Sequence, residues 1–255
     1  MSFNVAAEAY DRFMGVWSAQ LSRQLADLAG VERPQRVLDV GSGPGALTTE
    51  LVARVGADHV AAVDPSDSFV TAARERHPGV DVRQASAEIL PFPDQTFDAA
   101  LAQLVVHFMT DAVAGLSEMA RVVRSGGVVA ACVWDFHGDR GPLGPFWQAA
   151  RAIDPEIADE SRLPGARKGH LLELFGAARL RNVVATELPV RRSYAGFDAW
   201  WEPFTLGVGP GGRVVASMTD DQRRRLRDRC RSMLPDGPFE LAAIAWAARG
   251  VVRGV

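Results

Sequence analysis

Over the first 30 residues Tyr10, Phe13, Trp17, Leu21, Leu25 and Leu28 recur at spacings of three and four, the period of an amphipathic helix, with a break near Gly15. From Arg36 the pattern changes to short apolar runs alternating with amphipathic segments. Arg36–Val40 predicts a strand and Ala46–Val55 a helix with Leu47, Leu51 and Val55 on one face. Val60–Asp64 predicts a strand, and Ser66–Arg76 a helix capped by Ser66 or Asp67 and stopped at Pro78. Further strands are predicted at Val80–Gln84, Phe97–Ala102 and Val128–Val133, with a helix over Asp111–Arg124. Short all-apolar strands separated by helices require a mostly parallel sheet covered on both faces.

Beyond Trp134 the regularity is lost. Asp135–Arg167 is rich in glycine, proline and charge, Leu171–Phe175 predicts a helix and Asn182–Tyr194 a strand. Gly196–Gly237 carries Trp200, Trp201 and Phe204 and then a helix near Asp220–Leu234, and the chain closes with a strand over Phe239–Ala248. The expectation is one α/β domain over residues 1–255, with residues 135–181 and 196–237 as cap insertions over a single doubly wound sheet. With 255 residues, 47% hydrophobic and 23% charged, the chain has the apolar content for a full core, which excludes a disordered or fibrous chain.

No apolar run approaches the roughly 20 residues that span a bilayer. Met1–Arg12 carries Glu8 and Asp11 without an apolar block behind a basic start, so no secretory signal is expected and a cytoplasmic location is. Cys132 and Cys230 lack the spacing of a zinc site, and no metal is expected. The formal net charge of −3 gives no general attraction to polyanions, although Lys168 is the single lysine and every other basic residue is arginine.

The stretch with most chemical content is Val37-Leu38-Asp39-Val40-Gly41-Ser42-Gly43-Pro44-Gly45-Ala46, a strand running through a glycine turn into a helix. Such glycines let backbone approach a ligand, and the helix N-terminus presents free N–H groups to an anionic group. Gly41-x-Gly43-x-x-Ala46 also fits a dinucleotide fingerprint, with Asp64 placed to hold a ribose in either case, so the loop alone leaves two ligands open.

Three features together resemble the class I S-adenosylmethionine-dependent methyltransferases. Asp39 lies two positions before Gly41, giving the D-x-G-x-G-x-G form. Ala85-Ser86-Ala87-Glu88-Ile89-Leu90-Pro91-Phe92-Pro93-Asp94 followed by Phe97-Asp98 is similar to the family segment between its third and fourth strands. Arg121-Val122-Val123-Arg124-Ser125-Gly126-Gly127 is similar to the turn into its fifth strand. The features fall in the family's order over about residues 36–134, and the branch most resembled is that of the ubiquinone/menaquinone C-methyltransferases and their small-molecule relatives.

The resemblance implies a Rossmann-like, seven-stranded sheet with the last strand antiparallel, a cofactor-binding core over residues 35–134, an N-terminal helical lid over residues 1–34, and S-adenosyl-L-methionine as cofactor. It further implies that Gly41, Ser42, Gly43 and Gly45 form the turn beneath the cofactor, and that Asp39 contacts the methionine ammonium. Asp64 would accept from the ribose hydroxyls, with Pro65 and Ser66 bordering the adenine. Ala87 would offer its N–H to the adenine beside Ser86, where many relatives carry Asp, and Gln103 would line the methionine end.

Methyl transfer needs an in-line nucleophile, and a general base only where the acceptor is poorly ionised. His107, just past the fourth strand, is the first candidate base and reads equally as a packed histidine. Tyr10 is a candidate for closing over the cofactor and reads equally as core. The aromatic residues Trp134, Phe136, Phe146, Trp147, Trp200, Trp201 and Phe204 lie at or beyond the strand ends where ligands bind in open α/β folds, suiting a small apolar or aromatic methyl acceptor.

Arg223, Arg224, Arg225, Arg227, Arg229 and Arg231 surround a face of Leu226, Cys230 and Met233, the pattern of a solvated amphipathic helix, and no nucleic-acid partner is expected. Two other functions stay open on sequence: an NAD(P)-dependent oxidoreductase, and a non-catalytic cofactor-binding regulatory protein. The sequence sets no oligomeric state.

Overall fold

The computed structural model describes residues 14–157, 159–207 and 209–254. Seven strands form one sheet: β1 (Val37–Val40), β2 (Val60–Asp64), β3 (Asp81–Gln84), β4 (Phe97–Gln103), β5 (Val123–Trp134), β6 (Arg181–Tyr194) and β7 (Phe239–Val251), in the order β3-β2-β1-β4-β5-β7-β6. The pairs among β1 to β5 are parallel, and β7 runs antiparallel to both β5 and β6. This is the doubly wound, mostly parallel sheet read from the alternation of strand and helix. β1 and β2 are buried at every position, which is why they read as continuous apolar runs.

Helices α1 (Val16–Ala29), α2 (Ala46–Val55), α3 (Asp67–Arg76) and α4 (Ala112–Val122) cover the parallel half. α1 buries Trp17, Leu21 and Leu25, the stripe seen in the sequence, and ends at Gly30 in the left-handed region at φ +67°. Two glutamines fix it to the sheet: the Gln20 and Gln24 side-chain amides donate to the carbonyls of Arg191 and Pro189 on β6, at 2.7 and 2.8 Å. The Asp111 carboxylate caps α4 by accepting from the N–H groups of Val113 and Ala114, both at 2.9 Å.

The elements beyond Trp134 are α5 (Gly144–Ile153), α6 (His170–Ala177), α7 (Phe197–Trp201), α8 (Gly209–Ser217) and α9 (Asp220–Met233). α5 falls inside the stretch read as irregular. Its Gly-Pro start is punctuation in sequence but in space a first helical turn, where proline's missing N–H costs nothing. β5 begins at Val123 rather than Val128, because the chain enters the strand directly from α4 through a register shift opposite Phe97 and Ala99. β7 runs three residues past Ala248, pairing to Val128↔Val251.

In the cap region Phe197, Trp200, Trp201 and Phe204 pack ring against ring, and Phe204 stacks on Phe146 of α5 at 4.6 Å between centroids. These rings make a core of their own joined to that of the sheet. α9 buries Leu226 and Cys230, as its pattern predicts, and starts with a capping box between Thr219 and Gln222. Its Arg227 and Arg231 both donate to Asp198, at 2.7 and 2.9 Å. Among the described residues no helix is long and apolar enough to cross a membrane, and no group of three acidic, histidine or cysteine side chains could hold a metal ion.

Candidate functional site

In an open α/β sheet the crevice forms at the carboxyl ends of the strands where the strand order reverses, here between β1 and β4. The turn after β1 is tied to β2: the N–H groups of Gly41 and Ser42 both donate to the Val63 carbonyl, at 2.8 and 2.9 Å. Gly41 has φ +71°, and a Cβ there would lie 2.4 Å from the Val105 side chain beyond β4. Only glycine lets the two strand ends close to this spacing. Gly45, at φ +96°, lets the His77 ring come within 3.2 Å of its carbonyl oxygen.

A cavity of about 300 Å³ opens over this turn. Of the residues expected in the site, Asp39, Gly41, Ser42, Gly43, Asp64, Pro65, Ser66 and Gln103 line it. Asp64 closes β2, and its carboxylate accepts from the Gly43 N–H and the Ser66 N–H, each at 2.9 Å, which fixes the turn and leaves each oxygen lone-pair capacity. Burial, opposed by these two hydrogen bonds, holds its carboxyl above the usual range.

Asp39 is 1% exposed. Its Oδ2 accepts from the Thr48 hydroxyl at 2.6 Å, while Oδ1 has no partner among the described residues. Burial pushes its carboxyl up to about 7, helped by the charge of Asp64 and opposed by the Thr48 hydrogen bond. The Gln103 amide donates to the Ser18 carbonyl at 3.2 Å, which leaves its Oε1 likewise buried and unpartnered. The cavity thus carries two carboxylates and two orphaned acceptor oxygens, and among the described residues no lysine or arginine lines it. Its chemistry calls for a cation that donates hydrogen bonds.

Beyond β4, Leu104 is held at φ +60° while its N–H donates to the Cys132 carbonyl at 2.9 Å. Strain of this kind in a branched side chain persists where the surroundings impose it. Leu104 and Phe108 line the first cavity and also a second, smaller one of about 90 Å³ that His107 lines. His107 sits in the 3-10 turn Val106–Phe108 and is buried, with Nδ1 unpartnered. Burial drops its imidazole to about 3, so it is neutral across the physiological range.

Gly45, Ser86 and Ala87 are not on the cavity wall. Gly45 belongs to the turn packed on His77. Ala85 beside the pair is anchored to β2, its N–H donating to the Asp64 carbonyl at 3.1 Å. Tyr10 lies outside the described residues. The wall also includes Ser18, Leu47, Phe69, Leu104 and Val105, which the sequence reading missed. Ser18 had a signal, since α1 carries the apolar stripe that must face the sheet, whereas Phe69 on α3 had none apart from its nearness to Ser66.

Comparison with known proteins matches residues 38–131 to the family described as methyltransferase domain. The chain carries a methyltransferase domain. It is 35% identical over 164 residues to a demethylmenaquinone methyltransferase of Tropheryma whipplei (strain Twist), covering 61% of this chain and 66% of the relative. The alignment therefore reaches just under two thirds of that relative's length.

In solved structures the likeness of fold extends over about nine tenths of the chain. YcgJ of Bacillus subtilis matches with TM-score 0.58 at 20% identity over 92% of this chain and 98% of that one. Geranyl diphosphate C-methyltransferase of Streptomyces coelicolor A3(2), solved with Mg2+, geranyl diphosphate and S-adenosyl-L-homocysteine, matches with TM-score 0.54 at 16% identity over 91% and 78%. At these identities the likeness concerns the fold.

Proposed function

We infer that the protein transfers the methyl group of S-adenosyl-L-methionine to a small apolar or aromatic molecule by in-line displacement. The observation that carries this reading is the pair of buried, unpartnered oxygens, Asp39 Oδ1 and Gln103 Oε1, in a cavity with two carboxylates. Buried polar atoms are partnered in nearly all folded proteins, so two orphaned acceptors in one cavity mark the place of a donor-rich ligand. An ammonium supplies such donors and satisfies the charge of Asp39. The matched family and the methyltransferase relatives support the same cofactor.

When bound, that cofactor supplies an electrophilic sulfonium methyl. Asp39 and Gln103 hold the ammonium end, Asp64 accepts from the ribose hydroxyls, and Pro65, Ser66 and Phe69 border the base. Leu104 and Phe108 line both cavities and stand between cofactor and acceptor, so positioning accounts for most of the rate. Neutral His107 serves as a hydrogen-bonding group toward the acceptor. A nicotinamide dinucleotide with its ribose on Asp64 would bring its pyrophosphate near the buried Asp39 carboxylate, with no lysine or arginine among the described lining residues, which disfavours the oxidoreductase reading.

Thermal denaturation with S-adenosylmethionine or S-adenosylhomocysteine tests the reading directly. Either ligand raises the melting temperature if it holds; no shift from either at about millimolar concentration, where a Kd of that order still registers, refutes it.

A further inference from the structure

The second cavity has an apolar wall of Leu104, Phe108, Phe136 and Leu143 broken by three polar side chains, His107, Trp134 and Glu160. These three are 5%, 3% and 6% exposed. Each has one buried polar atom without a partner among the described residues: His107 Nδ1, Trp134 Nε1 and Glu160 Oε2. The Trp147 Nε1 likewise has no partner at hydrogen-bonding distance and angle, although the indole lies near enough to Glu160 to lower its carboxyl pKa. One such orphan is unusual, and three on the wall of one small apolar cavity mark a ligand's polar end.

Their chemistry narrows the ligand. The Trp134 indole only donates, so it requires an acceptor; an ionised Glu160 only accepts, so it requires a donor. A hydroxyl is the smallest group that meets both demands, with neutral His107 able to take either part. No lysine or arginine lines this cavity among the described residues, and Arg213, whose charge acts on Glu160, lines a different one. A phosphate, diphosphate or carboxylate would meet the Glu160 carboxyl with no cation on the described cavity wall. A pure hydrocarbon would leave all three orphans in place.

We propose that this cavity holds the methyl acceptor and selects an uncharged apolar molecule with a hydroxyl, which Glu160 and Trp134 hydrogen-bond. The proposal rests on the methyl-transfer reading of the neighbouring cavity, through the Leu104 and Phe108 boundary that the two share. It separates this chain from the geranyl diphosphate enzyme, which shares its fold and binds an anionic ligand.

The test is a calorimetric titration of the full chain at pH 8, where the Glu160 carboxyl is ionised, saturated with S-adenosylhomocysteine, with 4-ethylphenol, ethylbenzene and 4-ethylphenyl phosphate. The phenol is expected to bind at least about 10-fold more tightly than either of the others, the factor one good hydrogen bond to a charged group supplies. Glu160→Leu should bring the phenol down to the level of ethylbenzene, while affinity for S-adenosylhomocysteine stays within about twofold, since Glu160 does not line the first cavity. Equal binding of the phosphate or of ethylbenzene, no phenol binding below about 10 mM, or unchanged phenol affinity in Glu160→Leu overturns the proposal. If Glu160→Leu does not fold, the ligand series on the unmodified protein decides alone. Failure of S-adenosylhomocysteine to bind at all overturns the methyl-transfer reading instead, and the phenol series in ligand-free protein still decides what this cavity takes.

Discussion

Asp39→Asn should make the ligand-free protein more stable and its cofactor binding weaker, in opposite directions from one atom's charge. Burial and the Asp64 charge move the Asp39 carboxyl from 3.8 to about 7, and ionising it in place then costs about 4 kcal/mol. Asparagine keeps an oxygen to accept from Thr48 and exchanges the orphaned Oδ1 for a neutral, still unpartnered amide, so the charge is the main quantity lost. Even half the ionisation cost, about 2 kcal/mol, raises the melting temperature by about 4–8 °C in a chain of this size.

The pH dependence carries the sign. Between pH about 4 and about 7 the folded state holds the Asp39 proton and the unfolded state has released it, so stability falls as pH rises and levels off above about 7. Asparagine cannot titrate, and its advantage over the parent should therefore be absent near pH 4 and full above pH 7. In calorimetry at pH 8 the variant should bind S-adenosylmethionine about 10- to 100-fold more weakly, having lost a hydrogen bond from an ammonium to a carboxylate. A melting-temperature difference that does not change with pH would refute the buried, uncompensated charge. Unchanged affinity would remove Asp39 from the ammonium contact.

Gly41→Ala should destabilise by about 2 kcal/mol or more, because a left-handed alanine costs about 1 kcal/mol and its Cβ would overlap Val105. Adding Val105→Ala should recover part of the loss in chemical denaturation, and no recovery would locate the defect elsewhere. His107→Gln should resist acid better than the parent: the imidazole is held to about 3 in the fold, so the parent loses stability as pH falls below about 6.5 while the unfolded chain takes up a proton. Equal melting temperatures at pH 5 would contradict that burial. Asp198→Ala should change stability by less than about 1 kcal/mol although it frees both Arg227 and Arg231, since the carboxylate is 76% exposed. A larger loss in urea denaturation would show that these pairs hold the cap together.

The parts of this protein legible in sequence are those where one local rule decides. Buried parallel strands show as β1, β2 and β4 because both faces are covered, and α1 shows as a stripe because one face is. The turn from Asp39 to Gly45 is legible because a close approach of strand ends admits glycine alone at Gly41, and Asp64 because it ends a strand a fixed distance on. Of the cap elements α6 and α9 show in the pattern, whereas α5 does not, since Gly-Pro at its start is a stop signal in one context and a first helical turn in another.

Glu160 shows where sequence reasoning ends on the acceptor side. It lies in a stretch without periodicity, and nothing local distinguishes it from the exposed carboxylates on the same loop. It is buried on a cavity wall with Phe136 and Leu143 and near Trp147, residues that arrive from other segments. Burial pushes its carboxyl up to about 7, with the nearby Trp147 indole and Arg213 opposing. On the proposed reading the polar contacts to the cofactor fall on Asp39, just before the glycine turn, and on Asp64, at a fixed spacing from it, so they show in sequence. The proposed acceptor contact at Glu160 depends instead on tertiary burial, so repacking the cap would change selectivity while the glycine turn stays as it is.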